Sequence, residues 1–121
     1  MNKTSMVFNL TSILFALIML ASGLAKLSEQ EALVQATEAL GYPLYLLKIL
    51  GVAYVIGVIA IVQRKSEVIK QWGYAGFAIA LIGASGSHIL AGQSLSTAVP
   101  ALVLLSLLAL LATLNQKLLK V

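Results

Sequence analysis

A chain of 121 residues with 60% apolar side chains, 10% charged ones and a mean hydropathy of +1.01 cannot build an ordinary soluble surface, which takes about 25% charged residues. The absence of cysteine excludes a disulfide scaffold, and so much hydrocarbon excludes a disordered tail or a collagen-like fibre. A net charge of +4 spread this thinly makes a poor phosphate-binding surface, so membrane orientation, not nucleic acid, is its expected use.

A bilayer core needs about 20 apolar residues per helix. Four stretches meet that length, at about 6–27, 43–62, 71–90 and 97–114. The first has no charge before Lys26 and the second only Lys48. The third has neither acid nor lysine but contains His88, and the fourth is Leu- and Ala-rich. No alternation of polarity marks barrel strands. The expected fold is all-α: an integral membrane four-helix bundle forming a single transmembrane domain over residues 1–121, with a short amphipathic outer helix between the first two spans. That surface helix is predicted over about 29–40. Ser28-Glu29-Gln30-Glu31 reads as a capping box, Leu33, Ala36 and Leu40 recur at helical spacing, and Gly41 and Pro43 end it.

Charge sorts the connections. Lys3, Arg64, Lys65, Lys70, Lys117 and Lys120 against Glu67 give +5 on one face. Lys26 and Lys48 against Glu29, Glu31 and Glu38 give −1 on the other. By the positive-inside rule both termini are cytoplasmic in an inner (plasma) membrane, with Trp72 and Tyr74 in the inner aromatic belt and Tyr42 and Tyr45 in the outer one. Ile13–Ala21 followed by Ala21-Ser22-Gly23 also has the form of a cleaved signal peptide. The stretch is long enough to span, however, and cleavage there would leave Lys26 near a new terminus with no evident use.

Helices in lipid associate through small residues. Gly73, Gly76, Ala80, Gly83 and Ser87 form such a seam on the third span, which is expected to sit most centrally, with the fourth span facing the most lipid. Gly51 and Gly57 offer similar contacts on the second span, and Ser12, Ala16, Ala21 and Ala25 on the first.

Helical rise places Lys26, Lys48 and His88 in one layer near the outer boundary. Ionisable groups at membrane depth mark cavities or functional sites. Ser85 shares a face with His88, Ser22 lies one turn below Lys26, Tyr54 lies deeper, and Glu38 lies above. Lys26, Lys48, His88, Ser85, Tyr54 and Glu38 are therefore the candidate ligand-binding residues, for an anion, a quinone carbonyl or a lipid headgroup. The plainer reading is that the lysines snorkel to the interface and His88 serves as a structural hydrogen-bonder. With no Cys and one His, a metal site built by this chain is not expected. No catalytic residue is expected either.

Ser22-Gly23-Leu24-Ala25-Lys26-Leu27, Leu40-Gly41-Tyr42-Pro43, Leu47-Lys48-Ile49-Leu50-Gly51-Val52-Ala53, Trp72-Gly73-Tyr74-Ala75-Gly76-Phe77 and Gly83-Ala84-Ser85-Gly86-Ser87-His88 follow in order. Together they resemble the DoxX-like family of small bacterial membrane proteins. The resemblance implies a four-helix bundle in the bacterial inner membrane, with Lys26, Pro43, Gly51 and His88 at recurrent family positions. The family is named after a subunit linked to thiosulfate:quinone oxidation. The chain departs from the family pattern at Tyr54, where Lys or Glu is expected, and at Ala80, where a polar residue is frequent.

The expected function is an accessory or ligand-binding membrane protein without catalytic chemistry of its own, taking a quinone, a lipid or a small anion. A protein partner or homo-oligomer is compatible with this. The alternatives are a membrane subunit of a quinone-linked oxidoreductase system, a small four-helix transporter and an assembly chaperone. The transporter reading lacks the intramembrane carboxylate that proton–cation exchange requires.

Overall fold

A computed structural model describes residues 3–119, so Lys120 lies outside the described residues. Every regular element among them is helical: α1 Lys3–Leu27, α2 Glu31–Ala39, α3 Tyr45–Val62, α4 Glu67–Leu90 and α5 Val99–Leu119, the last preceded by a 3₁₀ turn at Leu95–Ala98. α1, α3, α4 and the run Leu95–Leu119 are long and apolar enough to cross a membrane. α1 packs on α3, α3 on α4, α4 on α5, and α5 back on α1. The result is an up-and-down four-helix ring with the short α2 outside it.

This ring has no central helix. Each spanning helix packs on two neighbours, so the third span does not sit at the centre as expected. The core is instead aromatic. Phe77 meets Phe15 and Tyr54 edge to face, with ring centroids 5.5 Å apart in both pairs. Such contacts supply the shape-specific attraction that lipid-solvated helices need, because burial alone gains little between them. Gly57 makes the arrangement possible, since a Cβ there would lie 2.7 Å from the Phe77 ring.

The closest backbone approach joins α1 to α3. A Cβ on Gly23 would meet Tyr54 Cβ at 2.9 Å, and one on Gly51 would meet the Gly23 carbonyl oxygen at 2.9 Å. Gly23 thus joins the α1 seam, in which the expected Ser12 and Ala16 are buried while Ala21 is exposed. On α4 only Gly73 is packed, against Ile61 and Ala60. Added methyls at Gly76 and Gly83 would meet nothing within 4 Å, so these two glycines of the α4 seam make no close helix contact.

Helix ends follow local chemistry. Ser66 caps α4, its Oγ accepting from the Ile69 N–H, and Glu67 sits in the first turn where the helix dipole favours an acid. The helix thus begins at Glu67, ahead of the expected 71, because this polar turn continues the span. Gln63 staples the loop before it. Its Nε2 donates to the Ala60 and Ser66 carbonyls, and its Oε1 accepts from the Lys65 and Ser66 N–H groups.

At the opposite end, α1, α2 and α4 all stop in Schellman motifs. Gly41 (φ 82°) and Gly92 (φ 77°) hold the left-handed positions after α2 and α4, as glycine readily does. After α1 that position is Glu29 (φ 52°). This excludes the expected capping box. Ser28 Oγ turns back to the carbonyls of Leu24 and Ala25, and α2 starts at Glu31 after Gln30 without a side-chain cap.

Candidate functional site

α2 does not pack closely on any spanning helix. It roofs a cavity of about 420 Å³ with Leu33, Ala36, Thr37 and Leu40. The roof is amphipathic at helical spacing, so its apolar face turns down and Glu38 is exposed on the other side. The walls are Lys26 from α1, Leu46, Leu47, Leu50 and Tyr54 from α3, and Ala80, Gly83, Ala84, Ser87 and His88 from α4. Tyr42, in the link between α2 and α3, completes the lining, and its hydroxyl shares a hydrogen bond with Ser87 Oγ, tying the roof to α4.

Lys26 is the chemically distinctive wall. Its Nζ donates to Ser22 Oγ at 2.8 Å and lies 4.8 Å from the centroid of the Tyr54 ring. Among the described residues it has no carboxylate partner. A partly buried ammonium with three donors, one hydroxyl acceptor and one aromatic face keeps donor capacity for a guest. Tyr54 is 7% exposed, and its hydroxyl has no hydrogen-bond partner among the described residues. His88 Nδ1 is 2.7 Å from Gln93 Oε1. With the amide in this orientation Nδ1 carries the proton in the neutral ring, leaving Nε2 as an acceptor.

Of the six residues singled out in the sequence, Lys26, Tyr54 and His88 thus line one cavity. The other three lie elsewhere. Lys48 projects from a different face of α3 than Leu47, Leu50 and Tyr54; its side chain is exposed and pairs with Glu29 at 3.7 Å. Ser85 is buried and donates to the Leu81 carbonyl instead of meeting His88. Glu38 sits on the solvent side of the roof.

A second polar group forms at the other end. Glu67 Oε1 pairs with Lys70 at 3.1 Å, while its Oε2 accepts from Asn115 Nδ2 at 2.8 Å and Gln71 Nε2 at 2.6 Å. Asn115 Oδ1 in turn accepts from Lys70 Nζ at 3.1 Å, and Asn115 is only 2% exposed. The Glu67–Lys70 and Glu67–Gln71 spacings are legible as same-face helix pairs. Their link to Asn115 crosses from α4 to α5 and has no local signal. Asn115 lies just beyond the span expected to end near 114. Tyr74 is also not the interfacial residue it resembled. It is 4% exposed, with its hydroxyl buried and unpartnered among the described residues, whereas Trp72 is 77% exposed.

No curated protein and no solved structure matches the chain. The model of the DoxX-like family matches residues 10–111, a stretch that holds the whole α2-roofed cavity and all four spanning helices in large part. With a family match over most of its length and a fold of four span-capable helices, this multi-pass membrane protein belongs to the DoxX-like family.

Proposed function

We propose that this protein is a non-catalytic, ligand-binding accessory protein of the bacterial inner membrane, with both termini cytoplasmic and the α2 roof on the outer side. The ligand sits under α2, and its polar group is a hydrogen-bond acceptor: a quinone carbonyl, a lipid headgroup or a small anion. One observation carries this reading. Lys26 is a partly buried cation with no acid partner among the described residues, and it lines an otherwise largely apolar cavity beside an unpartnered tyrosine hydroxyl. Burying an unpaired charge is costly, and a guest with an acceptor offsets that cost.

The test is ligand identification. The protein is purified in mild detergent and bound small molecules are determined by mass spectrometry for the wild type, Lys26→Met and Tyr54→Phe. The expected result is a species present in the wild type and depleted in both variants. A wild-type protein that carries nothing above lipid background overturns the reading. The orientation is tested separately. Because the chain has no cysteine, single cysteines placed at Gly92 and at Lys117 report their sides through a membrane-impermeant maleimide on intact cells. Labelling at Lys117 and not at Gly92 contradicts the orientation.

A further inference from the structure

The cavity under α2 continues along the bundle at Tyr54. A groove of about 570 Å³ between α3 and α4 shares Leu50, Tyr54 and Ala80 with it. The groove itself follows α3 from Leu50 to Ala60, a run of ~15 Å at about 1.5 Å per residue. That is the depth of one leaflet, half of a ~30 Å hydrocarbon core. Gly76 keeps its floor clear, since a Cβ added there would meet nothing within 4 Å.

We propose that the site under α2 takes an acidic membrane lipid, with its phosphodiester against Lys26 and Tyr54 and one acyl chain in the α3–α4 groove. The proposal rests on the functional reading above and narrows its ligand to a head of net negative charge. Charge balance is the first argument. The half-buried Lys26 ammonium has a serine hydroxyl and an aromatic face, neither of which neutralises it. No carboxylate pairs with it among the described residues. A neutral carbonyl head leaves that charge uncompensated, and a zwitterionic head brings a second cation into the same confined space. A monoanionic phosphodiester cancels one ammonium and accepts hydrogen bonds from both Lys26 and the Tyr54 hydroxyl. Hydrocarbon is the second argument. Leu33, Leu40, Leu47 and Leu50 line the same cavity, so a small hydrated anion would lose its water against carbon. On a lipid, the same phosphate arrives with chains that suit those walls. The leaflet-deep groove then takes one chain over its whole length.

Two lipids with identical tails separate the head from the chain. Dioleoyl phosphatidylglycerol and dioleoyl phosphatidylcholine are mixed in equal amounts in nanodiscs carrying the full chain. Native mass spectrometry reads the lipid that the protein retains, as enrichment over the bulk mole fraction. Phosphatidylglycerol should be enriched about fivefold over phosphatidylcholine, the effect expected of one cation. Lys26→Met should bring that ratio to near one. Lys48→Met should preserve it, because Lys48 is an exposed lysine at the same end, outside the cavity. Gly76→Leu fills the groove, so it should cut retention of both lipids and leave their ratio intact. Soluble glycerol phosphate, added at constant ionic strength, should displace neither lipid.

An equal loss of the ratio in Lys48→Met assigns it to surface charge and overturns the proposal. Displacement by glycerol phosphate assigns the site to a free anion and overturns the lipid. Full retention in Gly76→Leu takes the chain out of the groove and overturns its placement. A wild-type ratio near one, with retention of both lipids falling in Lys26→Met, overturns the acidic head but leaves an acceptor under α2. Retention and ratio both indifferent to Lys26→Met overturn the underlying reading instead.

Discussion

The two ends of the bundle each hold a half-hidden lysine, and they treat it in opposite ways. Lys70 is enclosed by its own protein: Glu67 neutralises it, Asn115 accepts from it, and Gln71 shares the same carboxylate. Lys26 has a serine and an aromatic face but no counter-charge among the described residues. A satisfied polar network fixes structure, whereas an unsatisfied group waits for something outside the chain. On the proposed function, the difference separates a lysine that holds α4 to α5 from one placed to meet a ligand.

Substituting each lysine with the same residue is the sharpest way to break this comparison. Lys70→Met leaves the buried Asn115 Oδ1 without its donor, while water reaches the part-exposed Glu67, and should cost about 2 kcal/mol. Asn115→Leu should cost a similar amount, because both ends of the pair lose a hydrogen bond. Lys26→Met should not destabilise the ligand-free protein at all, since it removes a partly buried charge that lacks a counter-ion. Reversible unfolding in mixed micelles measures all three. A comparable loss at Lys26 would mean that its contacts with Ser22 and Tyr54 are structural, and the contrast would fail.

A smaller effect is expected at the loop that delivers Lys70 to its partners. Gln63 satisfies four backbone groups between the ends of α3 and α4. Gln63→Ala should lower stability by about 1–2 kcal/mol, less than four separate hydrogen bonds because water reaches part of the loop. In hydrogen exchange, the Lys65 and Ser66 amides should lose protection before those of α4. Unchanged exchange there would show that the loop holds its shape without the staple.

Buried tyrosines repeat the comparison at lower stakes. Tyr74 carries a sealed, unpartnered hydroxyl in the core, so Tyr74→Phe should stabilise by about 1 kcal/mol. Tyr54 carries its hydroxyl at the wall of the cavity, so Tyr54→Phe should leave unfolding unchanged and weaken ligand retention. Matching stability gains in the two variants would show that Tyr54 has no use for a guest.

What the sequence made legible follows from the range of each interaction. The four spans, the surface helix and its stop at Gly41 rest on composition and local backbone preference, which a linear reading sees. The cavity was legible in part, since helical rise set Lys26, Lys48 and His88 in one layer with Tyr54 deeper, but rise alone does not say which way a side chain points. Lys48 and Leu47 are neighbours in sequence and lie on different faces of α3, so depth grouped Lys48 with residues that rotation separates from it. The small-residue seam on α4 misled for a related reason. Glycines permit close approach, and whether a helix or a ligand uses that permission depends on partners outside the motif. Asn115 was invisible because its partners lie 45 and 48 residues away.

The last contrast lies between two helix stops at the roofed end. α2 ends on Gly41 and α1 ends on Glu29, both with positive φ. The left-handed conformation costs a residue with a Cβ about 1–2 kcal/mol, while glycine adopts it freely but loses more chain entropy on folding. Glu29 also faces Lys48 at 3.7 Å, an exposed pair whose value is at most a few tenths of a kcal/mol. Glu29→Gly should therefore stabilise, by about 0.5–1 kcal/mol after both offsets. The informative readout is ligand retention beside the unfolding midpoint. Glu29 sets the angle at which the chain leaves α1 to lay α2 over Lys26, and a more permissive residue there loosens the roof while relieving the strain. A gain in stability with a faster loss of ligand places the strain in service of the cavity. A gain with unchanged retention shows that α2 is held by Tyr42 and its own apolar face alone.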